Sequence, residues 1–380
     1  MERDEAMSLM IKLLKLLTKE GGSDLFITAG FPPAMKIKGK MTPITKKPLT
    51  AGDSQSLTQC IMNDRQLKEY EETKECNFAI HPPGLSRFRV NAFVQQGCQG
   101  VVIRIINAEV PDFDELKLPS VLKDVIMVKN GLIVVVGGTG SGKSTTMAAL
   151  INHRNHNTYG HIITLEDPIE YVHPHKNCVI MQREIGVDSN KWESALHNTL
   201  RQAPDVILFG EIRDAETMNF GIEFAQTGHL AMGTLHANNA NQAIDRMLNF
   251  FSTEKQKKLL QDISLNLKAI ISQRLVKTVD GGRAAAIEIM LNSPLIQELI
   301  AKGDVAGIKP IMGKSGTLGM QTFDQALFRL HQEDRITFDE AIAHADSPNE
   351  LRLRIKLEGK DAMGGLGNTD ISLVGNEEED

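Results

Sequence analysis

The stretch Leu132-Ile133-Val134-Val135-Val136-Gly137-Gly138-Thr139-Gly140-Ser141-Gly142-Lys143-Ser144-Thr145 decides the fold of this 380-residue chain. Its first five residues are apolar and mostly β-branched, a pattern typical of a strand buried on both faces of a parallel sheet. A glycine-rich loop follows, and residues 145–150 favour the start of a helix. This order of strand, loop and helix is that of a P-loop, so the sequence predicts a nucleotide-binding α/β domain.

The residue types of this loop each have a chemical reason. Glycines let consecutive backbone N–H groups curl around phosphate oxygens, and the helix N-terminus adds a favourable dipole. Lys143 is predicted to contact the β- and γ-phosphates of ATP, and Ser144 to give its hydroxyl to Mg²⁺. The predicted nucleotide-binding residues are Gly137, Gly138, Thr139, Gly140, Ser141, Gly142, Lys143, Ser144 and Thr145. A P-loop alone does not identify the reaction.

Further short apolar runs follow at residues 161–165, 206–209 and 230–235, separated by helical patterns. That alternation predicts a parallel sheet covered by helices. A helix is expected from a capping box of Thr253 and Gln256, with Leu260, Ile263, Leu267 and Ile271 on its apolar side. Beyond it the sequence is expected to be mostly helical.

The N-terminal part predicts a separate small α/β domain. Residues 7–17 are apolar at helical spacing, which indicates a helix packed on its own domain; a membrane-surface helix is the alternative. Strand-like runs lie at residues 24–28, 34–37, 88–93 and 101–106. The predicted organisation is an N-terminal domain at 1–110, a linker at 111–119, an ATPase domain with C-terminal helices at 120–358, and a disordered acidic tail at 359–380.

Composition narrows the function class. The chain has a net charge of -6 and 24% charged residues, and it contains no apolar run long enough for a membrane helix. Its acidic start gives no secretory signal, so a cytoplasmic location is expected. The acidic balance argues against a nucleic-acid partner, because phosphate backbones require clustered Lys and Arg. Four cysteines without metal-binding spacing are expected to be reduced thiols.

Two groups of carboxylates are candidates for the chemistry. Glu211 follows the apolar run 206–209, about where a Mg²⁺-coordinating acid belongs. Glu166, Asp167 and Glu170 follow another apolar run, where an acid can orient the attacking water. Because any strand can end in an acid and any turn can be acidic, ordinary solvated carboxylates are the alternative.

Two histidines bracket the run 230–235. His229 precedes it and His236 follows it, so both are expected at strand ends, where they can sense phosphates or a neighbouring subunit. A lone buried histidine is more often structural, and both interpretations stay open.

Together these segments resemble the secretion-type ATPase superfamily. Its P-loop, acidic Asp box, Walker B motif ending in Glu, and His box correspond in order to residues 137–145, 164–171, 206–211 and 227–237. Residues 23–26, 87–91 and 319–324 are similar to those of type IV pilus retraction ATPases of the PilT/PilU type. The resemblance covers residues from about 8 to 355.

The resemblance implies a PAS-like N-terminal domain, a RecA-like ATPase domain and a hexameric ring that uses ATP to drive or assist pilus retraction in twitching motility. It also implies an inner-membrane pilus platform protein as partner and a position at the membrane base of the machine. Glu170 is the implied catalytic base, with Glu166 the second choice, and Glu211 acts through Mg²⁺. Three arginines match those that reach phosphate in the family, with surface salt bridging as the alternative: Arg87, Arg89 and Arg104.

The sequence also departs from the common PilT pattern. Phe26 stands where many relatives have His, Ala237-Asn238-Asn239 replaces a Thr-rich segment, and an acidic tail extends the chain. These features resemble the PilU-like paralogue. Whether the protein acts alone or with a PilT-like partner ATPase is left open.

Three rivals are weighed against this interpretation. Assembly and secretion motors of the PilB/GspE kind usually carry a tetracysteine insertion and a larger N-terminal region, which this sequence lacks. A RecA-like helicase requires a basic surface along which DNA runs. A non-catalytic nucleotide-binding ring would not need an intact set of Lys143, Ser144, Glu170 and Glu211.

Overall fold

The computed structural model describes residues 1–106 and 109–358. Contacts divide the chain into two compact units, each built from two stretches. The first unit contains Met1–Glu115 and Met147–Gly210, and the second contains Leu116–Thr146 and the chain from Glu211 onward. The disorder predicted for residues 359–380 lies outside the described residues.

The N-terminal stretch of the first unit forms an antiparallel sheet of six strands. Their order is β3-β2-β1-β6-β5-β4. Strands β5 and β6 are antiparallel and in register from Phe88 opposite Ile105 to Gln95 opposite Cys98. The strands are β1 (Gly22–Ile27), β2 (Ala34–Ile37), β3 (Lys40–Pro43), β4 (Glu75–Ile80), β5 (Phe88–Gln95) and β6 (Cys98–Ile105).

Three helices accompany this sheet: α1 (Arg3–Lys19), α2 (Ala51–Cys60) and α3 (Asp64–Thr73). Helix α1 buries Ala6, Met10, Leu13, Leu14 and Leu17, and these residues belong to the core that includes Leu25 and Phe88. The prediction that this helix packs on its own domain is therefore confirmed. The sequence runs 24–28, 34–37, 88–93 and 101–106 correspond to β1, β2, β5 and β6.

The second stretch of the first unit contains parallel strands in the order β10-β8-β9. They are β8 (Gly160–Glu166), β9 (Cys178–Glu184) and β10 (Val206–Phe209), with helix α6 (Trp192–Thr199) between β9 and β10. Strand β10 lies in parallel register with β8, from Val206 opposite Ile162 to Phe209 opposite Leu165. Both runs predicted here from the sequence are strands.

The second unit contains four strands in the order β13-β12-β7-β11. They are β7 (Gly131–Val136), β11 (Leu230–Leu235), β12 (Leu267–Lys277) and β13 (Arg283–Leu291). Strand β7 is buried along its whole length and pairs in parallel with both β11 and β12. The continuous β-branched run predicted this position, because both faces of the strand are covered.

The remaining helices lie along the rest of the chain: α4 (Val121–Met127), α5 (Lys143–Asn157), α7 (Ala215–Gln226), α8 (Ala240–Asn249), α9 (Thr253–Asn266), α10 (Pro294–Lys302), α11 (Ile308–Lys314), α12 (Phe323–Gln332), α13 (Phe338–Ala343) and α14 (Pro348–Glu358). Phe323, Leu327 and Leu351 from the last of these share a core with Val276 of β12. The C-terminal helices thus cover the end of the β12–β13 hairpin.

Two details of the predicted helix at residue 253 are wrong. The residue before α9 is Ser252, whose side chain makes no capping hydrogen bond, and Gln256 instead donates to the Leu248 carbonyl at 3.1 Å. The helix ends at Asn266, and Leu267 and Ile271 belong to β12. The apolar, partly β-branched residues from 267 onward pair with β7 and β13, so sheet pairing prevails over the helical spacing.

The predicted fold class, an α/β N-terminal domain of PAS-like type plus a RecA-like P-loop domain with a parallel sheet, is confirmed: the structure is α/β with two sheets, of which one is mostly parallel. The domain boundaries at 110 and 120 stay a prediction, although Phe113 and Leu118 of the predicted linker are buried. All four cysteines are free. Among the helices within residues 1–106 and 109–358, none has the length and apolar character to cross a membrane.

Candidate nucleotide-binding and hydrolysis site

The P-loop connects the end of β7 to the start of α5 in the second unit. Gly140 and Gly142 have φ angles of 76° and 85°, a left-handed conformation that glycine adopts without strain. A Cβ atom at Gly137 would lie 2.6 Å from the backbone oxygen of Gln273, so only glycine fits there. These glycines give the loop the curvature that phosphate binding requires.

The polar groups of the loop fit a nucleotide phosphate. The Lys143 Nζ atom donates to the carbonyl oxygens of Gly137 and Gly138 at 2.8 and 2.9 Å, which holds the ammonium group against the loop. The Ser141 hydroxyl is buried without a hydrogen-bond partner, as expected of a group that awaits a ligand. Ser144 lies in the first turn of α5, where the helix dipole favours a phosphate and the Ser144 hydroxyl would be available to a phosphate-bound Mg²⁺.

Glu211 and His236 lie together in the second unit. The Nε2 atom of His236 is 3.4 Å from Oε1 of Glu211, and Nε of Arg213 donates to the other carboxylate oxygen at 2.8 Å. The neighbouring Ile212 N–H donates to the Thr234 carbonyl, which fixes this segment beside β11. The structure therefore brings a predicted Mg²⁺-associated acid and a predicted His-box residue into contact.

His236 also lies beside the P-loop. Leu235 of β11 is opposite Val136 of β7, so the residues that follow these two strands emerge side by side. A cleft of about 600 Å³ is lined by Gly137, Gly138, His236 and residues of α8 that include Asp245 and Arg246. His236 is thus placed to respond to a phosphate bound at the loop.

His229 lies at the opposite end of the same strand. Its backbone oxygen accepts from Gly131 at the start of β7, and its Nδ1 atom is 3.0 Å from the Thr227 hydroxyl. The six residues of β11 lie between it and His236, and the seven residue steps from one histidine to the other span about 23 Å at 3.3 Å per step. The structure therefore does not bring the two predicted histidines together. His229 was expected to sense either a phosphate or a neighbouring subunit, and the contact with a neighbouring subunit remains a prediction.

Glu166 ends β8 in the first unit and is held in place by polar neighbours. The Thr164 hydroxyl donates to its Oε1 atom at 2.6 Å, and Nε2 of Gln182 donates to the same oxygen at 3.2 Å. Burial raises the pKa of Glu166 above the ordinary value of 4.5, although these donors partly oppose the shift. The side chain is therefore restrained and takes up a proton more readily than an exposed carboxylate.

Glu170 is exposed, whereas Glu166 is partly buried. It lines a cleft of about 360 Å³ in the first unit together with Arg89, Arg104, Pro168 and Tyr171. This cleft brings one predicted carboxylate together with two of the three predicted arginines. A carboxylate on such a wall is free to turn towards a water molecule, while the guanidinium groups suit an anion.

Arg87 and Arg104 both form ion pairs with carboxylates of the first unit. Arg87 lies 3.6 Å from Oε2 of the buried Glu184 and 3.8 Å from Oδ2 of Asp188. Arg104 donates from Nε to Asp24 at 2.6 Å, although most of its own side chain is exposed. Salt bridging, the alternative interpretation, therefore describes the position of Arg87 and Arg104 in this structure.

Sequence reasoning missed Gln182 and Glu184, both on β9. Besides Glu166, Gln182 contacts the Tyr171 carbonyl at 2.8 Å and the His173 N–H at 2.7 Å. Burial raises the pKa of Glu184, and its carboxylate accepts from the Ile169 N–H at 3.4 Å. The two side chains thus support the segment between Glu166 and His173. Strand β9 was not predicted because only its first four residues, Cys178 to Met181, are apolar, and three polar residues complete it.

Comparison with known proteins defines the class. Residues 7–309 match the family model of the type II/IV secretion system proteins, and the chain belongs to that family. The chain is 53% identical over 347 residues to the type IV pilus ATPase PilU of Pseudomonas aeruginosa, covering 91% of each chain. It is 42% identical to the PilT retraction ATPase of the same organism, over 90% of this chain and 99% of that one.

A solved structure gives the same result. The crystal structure of the pilus retraction motor PilT with bound ADP superposes with a TM-score of 0.84 at 38% identity, covering 90% of this chain and 98% of that one. The prediction of a pilus ATPase of the PilT/PilU type is confirmed, and so is the prediction of an ATP hydrolase.

Proposed function

We propose that this chain is a subunit of a hexameric ring that hydrolyses ATP to drive or assist type IV pilus retraction. The observation that carries the proposal is the P-loop, in which the Lys143 ammonium group donates to the Gly137 carbonyl. The chain that contains this loop matches type IV pilus ATPases along nine-tenths of its length. The higher identity to PilU than to PilT favours a role beside a PilT-like partner.

Each site residue has a proposed task. Backbone N–H groups of the loop and the Lys143 ammonium bind the β- and γ-phosphates, and they stabilise the charge that develops during transfer. Ser144 and Glu211 would hold Mg²⁺, which would offset the charge of the phosphates when bound. His236 orients the Glu211 carboxylate and senses the phosphate end of the nucleotide.

Glu170 is the proposed base that orients the attacking water and takes its proton, with Glu166 as the second candidate. Exposure and a position on the cleft wall favour Glu170, since a base must reach the water. Arg89 and Arg104 are proposed to bind the transferred phosphate, and Arg87 is proposed to do so after leaving Glu184. An arginine in this role can raise turnover by a factor on the order of 10³ or more.

The partners and the location follow from the same proposal. The ring is a homo-hexamer that acts in the cytoplasm at the inner-membrane base of the pilus machine, against a platform protein there. The acidic balance of the chain supports a motor that acts without nucleic acid.

Mg²⁺-dependent ATP hydrolysis by the purified chain tests the proposal, with oligomeric mass measured on the same sample and DNA added in a parallel assay. We expect hexamers that hydrolyse ATP without DNA, and no turnover when Lys143→Ala is assayed. Stimulation by DNA would instead support a nucleic-acid motor. Retraction is tested by complementing a strain that lacks this protein and scoring twitching with and without its PilT-like partner.

A further inference from the structure

Gln273, on β12, contacts the P-loop through its side chain. Its side chain is only 3% exposed. Its Nε2 atom donates to the Ser141 carbonyl at 2.8 Å, and its Oε1 atom accepts from the Thr146 hydroxyl at 2.7 Å. One buried amide therefore joins the loop to the first turn of α5, on both sides of Lys143 and Ser144.

Two glycines of the loop lie too close to Gln273 to carry a side chain. A Cβ atom at Gly142 would lie 2.7 Å from Nε2 of Gln273, and one at Gly137 would lie 2.6 Å from its backbone oxygen. Two P-loop glycines are thus required by the approach of Gln273 as well as by phosphate. The Gln273 backbone belongs to a strand in register with β7, so its position does not depend on the loop.

The chemistry of the two contacts selects glutamine. The Ser141 carbonyl needs a donor and the Thr146 hydroxyl needs an acceptor, and a primary amide supplies both. Glutamate would place a carboxylate oxygen against the Ser141 carbonyl, and methionine would fill the volume without either hydrogen bond. In both cases a buried polar group of the loop loses its partner.

We propose that Gln273 is a positioning residue of the ATPase site, which holds Ser141 and Thr146 so that Lys143 and Ser144 meet the phosphates. It acts through the loop and does not itself touch the nucleotide. The inference rests on the proposed function of the P-loop. It adds a β12 residue to the four sequence motifs from which that function was argued.

The test compares Gln273→Met with wild type and with Ser272→Ala. Ser272 is the adjacent buried residue of β12, and its hydroxyl donates to Glu288 at 3.0 Å rather than to the loop. Both variants remove buried hydrogen bonds from the same strand, two in Gln273→Met and one in Ser272→Ala, so Ser272→Ala controls for a general effect on the strand. Affinity is measured with a fluorescent ATP analogue, turnover as kcat and KM, and folding as Tm and circular dichroism.

We expect Gln273→Met to bind nucleotide about tenfold or more weakly, since each tenfold loss corresponds to about 1.4 kcal/mol. Its KM for ATP should rise and its kcat should fall, while Ser272→Ala keeps wild-type values for both. Wild-type affinity and turnover in Gln273→Met would overturn the proposal. Equal loss in Gln273→Met and Ser272→Ala would also overturn it, because the effect would then be general to the strand.

If Gln273→Met fails to fold, Thr146→Val tests the same proposal from the other side of the hydrogen bond. Thr146→Val removes one hydroxyl and is expected to weaken binding about twofold to fivefold, in line with the loss of one buried hydrogen bond. Unchanged binding in Thr146→Val would contradict the proposal. If wild type binds ATP without hydrolysing it and the variants still bind more weakly, the ATPase proposal fails while the role of Gln273 stands.

Discussion

The imidazole Nε2 atom of His236 lies 3.4 Å from Oε1 of the Glu211 carboxylate, and Nε of Arg213 donates to Oε2 of the same carboxylate at 2.8 Å. Glu211, the acid that ends the Walker B motif, is therefore held at both carboxylate oxygens. Arg213 lies two residues after it in the chain, and His236 directly follows β11. A carboxylate held in this way keeps its orientation when a metal binds, because its neighbours have already fixed its rotamer. Glu211 and His236 consequently form one functional unit, although 25 positions separate them in sequence.

Replacing Glu211 with Gln should raise the Mg²⁺ concentration needed for half-maximal ATPase activity by about tenfold or more, because an amide is a weaker ligand and a weaker partner for His236 and Arg213. The Mg²⁺ titration of steady-state ATPase rates measures this shift. His236→Ala should move it in the same direction by a smaller amount. The matched control is Glu223→Gln, an exposed acid of α7, and an equal shift in that variant would remove the metal role from Glu211.

Sequence predicted the local structure well wherever one local pattern determines one structure. The P-loop is such a case, because the strand, the glycines and the helix start are adjacent and each has a physical reason. Strands β10 and β11 were predicted with their observed bounds because each is a short, continuous and mostly apolar run. The four motifs also identified a family that comparison confirms.

The residues that were missed depend on contacts distant in sequence. Gln273 is 127 positions from Thr146, and nothing in a single sequence indicates that one amide joins them. Gln182 and Glu184 are polar residues on a short strand, and their importance appears only when they meet Glu166 and Ile169. The wrong extension of α9 has a related cause, since the spacing of Leu267 and Ile271 fits a helix until the pairing with β7 is known.

The two candidate bases are separated by paired variants. Glu170→Gln should retain ATP binding and lose hydrolysis by about 10²-fold or more, as expected when a general base is removed. Glu166→Gln should retain a measurable rate. Single-turnover hydrolysis together with nucleotide affinity measures both, and the reverse order of loss would move the base to Glu166.

The pH profile gives an independent check on these variants. Burial raises the pKa of Glu166 above 4.5, so this group gains a proton as the pH falls towards and through that raised value. If Glu166 were the base, the wild-type rate would fall over that window, and Glu166→Gln would abolish the fall. With Glu170 as the base, we expect the acidic limb to persist in Glu166→Gln.

Arg89 lines the cleft that contains Glu170, and Arg89→Ala should lower kcat by about 10²-fold or more if its guanidinium stabilises the transferred phosphate. Nucleotide affinity should change much less, because the contact is made mainly during transfer. Steady-state kinetics and binding measure the two effects. Arg65→Ala, an exposed arginine of α3, is the control, and a loss of kcat in that variant too would indicate a general charge effect.

Asp346 connects β12 to the C-terminal helices. Arg274 contacts its Oδ1 atom at 2.7 Å, Lys309 contacts its Oδ2 atom at 2.6 Å, and the Arg274 guanidinium also lies 3.8 Å from the Phe323 ring centroid. Burial raises the pKa of Asp346, but the two cations outweigh this and hold the pKa below its ordinary value of 3.8. Because the folded pKa is depressed, the stabilisation is present above pH 3.8 and is lost as the pH falls through the folded pKa.

Asp346→Asn should therefore lower the free energy of unfolding by about 1–3 kcal/mol, the range for hydrogen bonds to charged groups, with the partial exposure of the cations favouring the lower part. The loss should be constant from about pH 5 to 8, since Asp346 stays ionised across that window, and it should shrink below pH 3.8. Thermal midpoints of both proteins across this pH series measure it. Asp339→Asn, an exposed acid of α13, should leave the midpoint near that of wild type. A loss that grows towards acid would contradict the depressed pKa, because Asp346 would then bind its proton more tightly in the folded than in the unfolded protein.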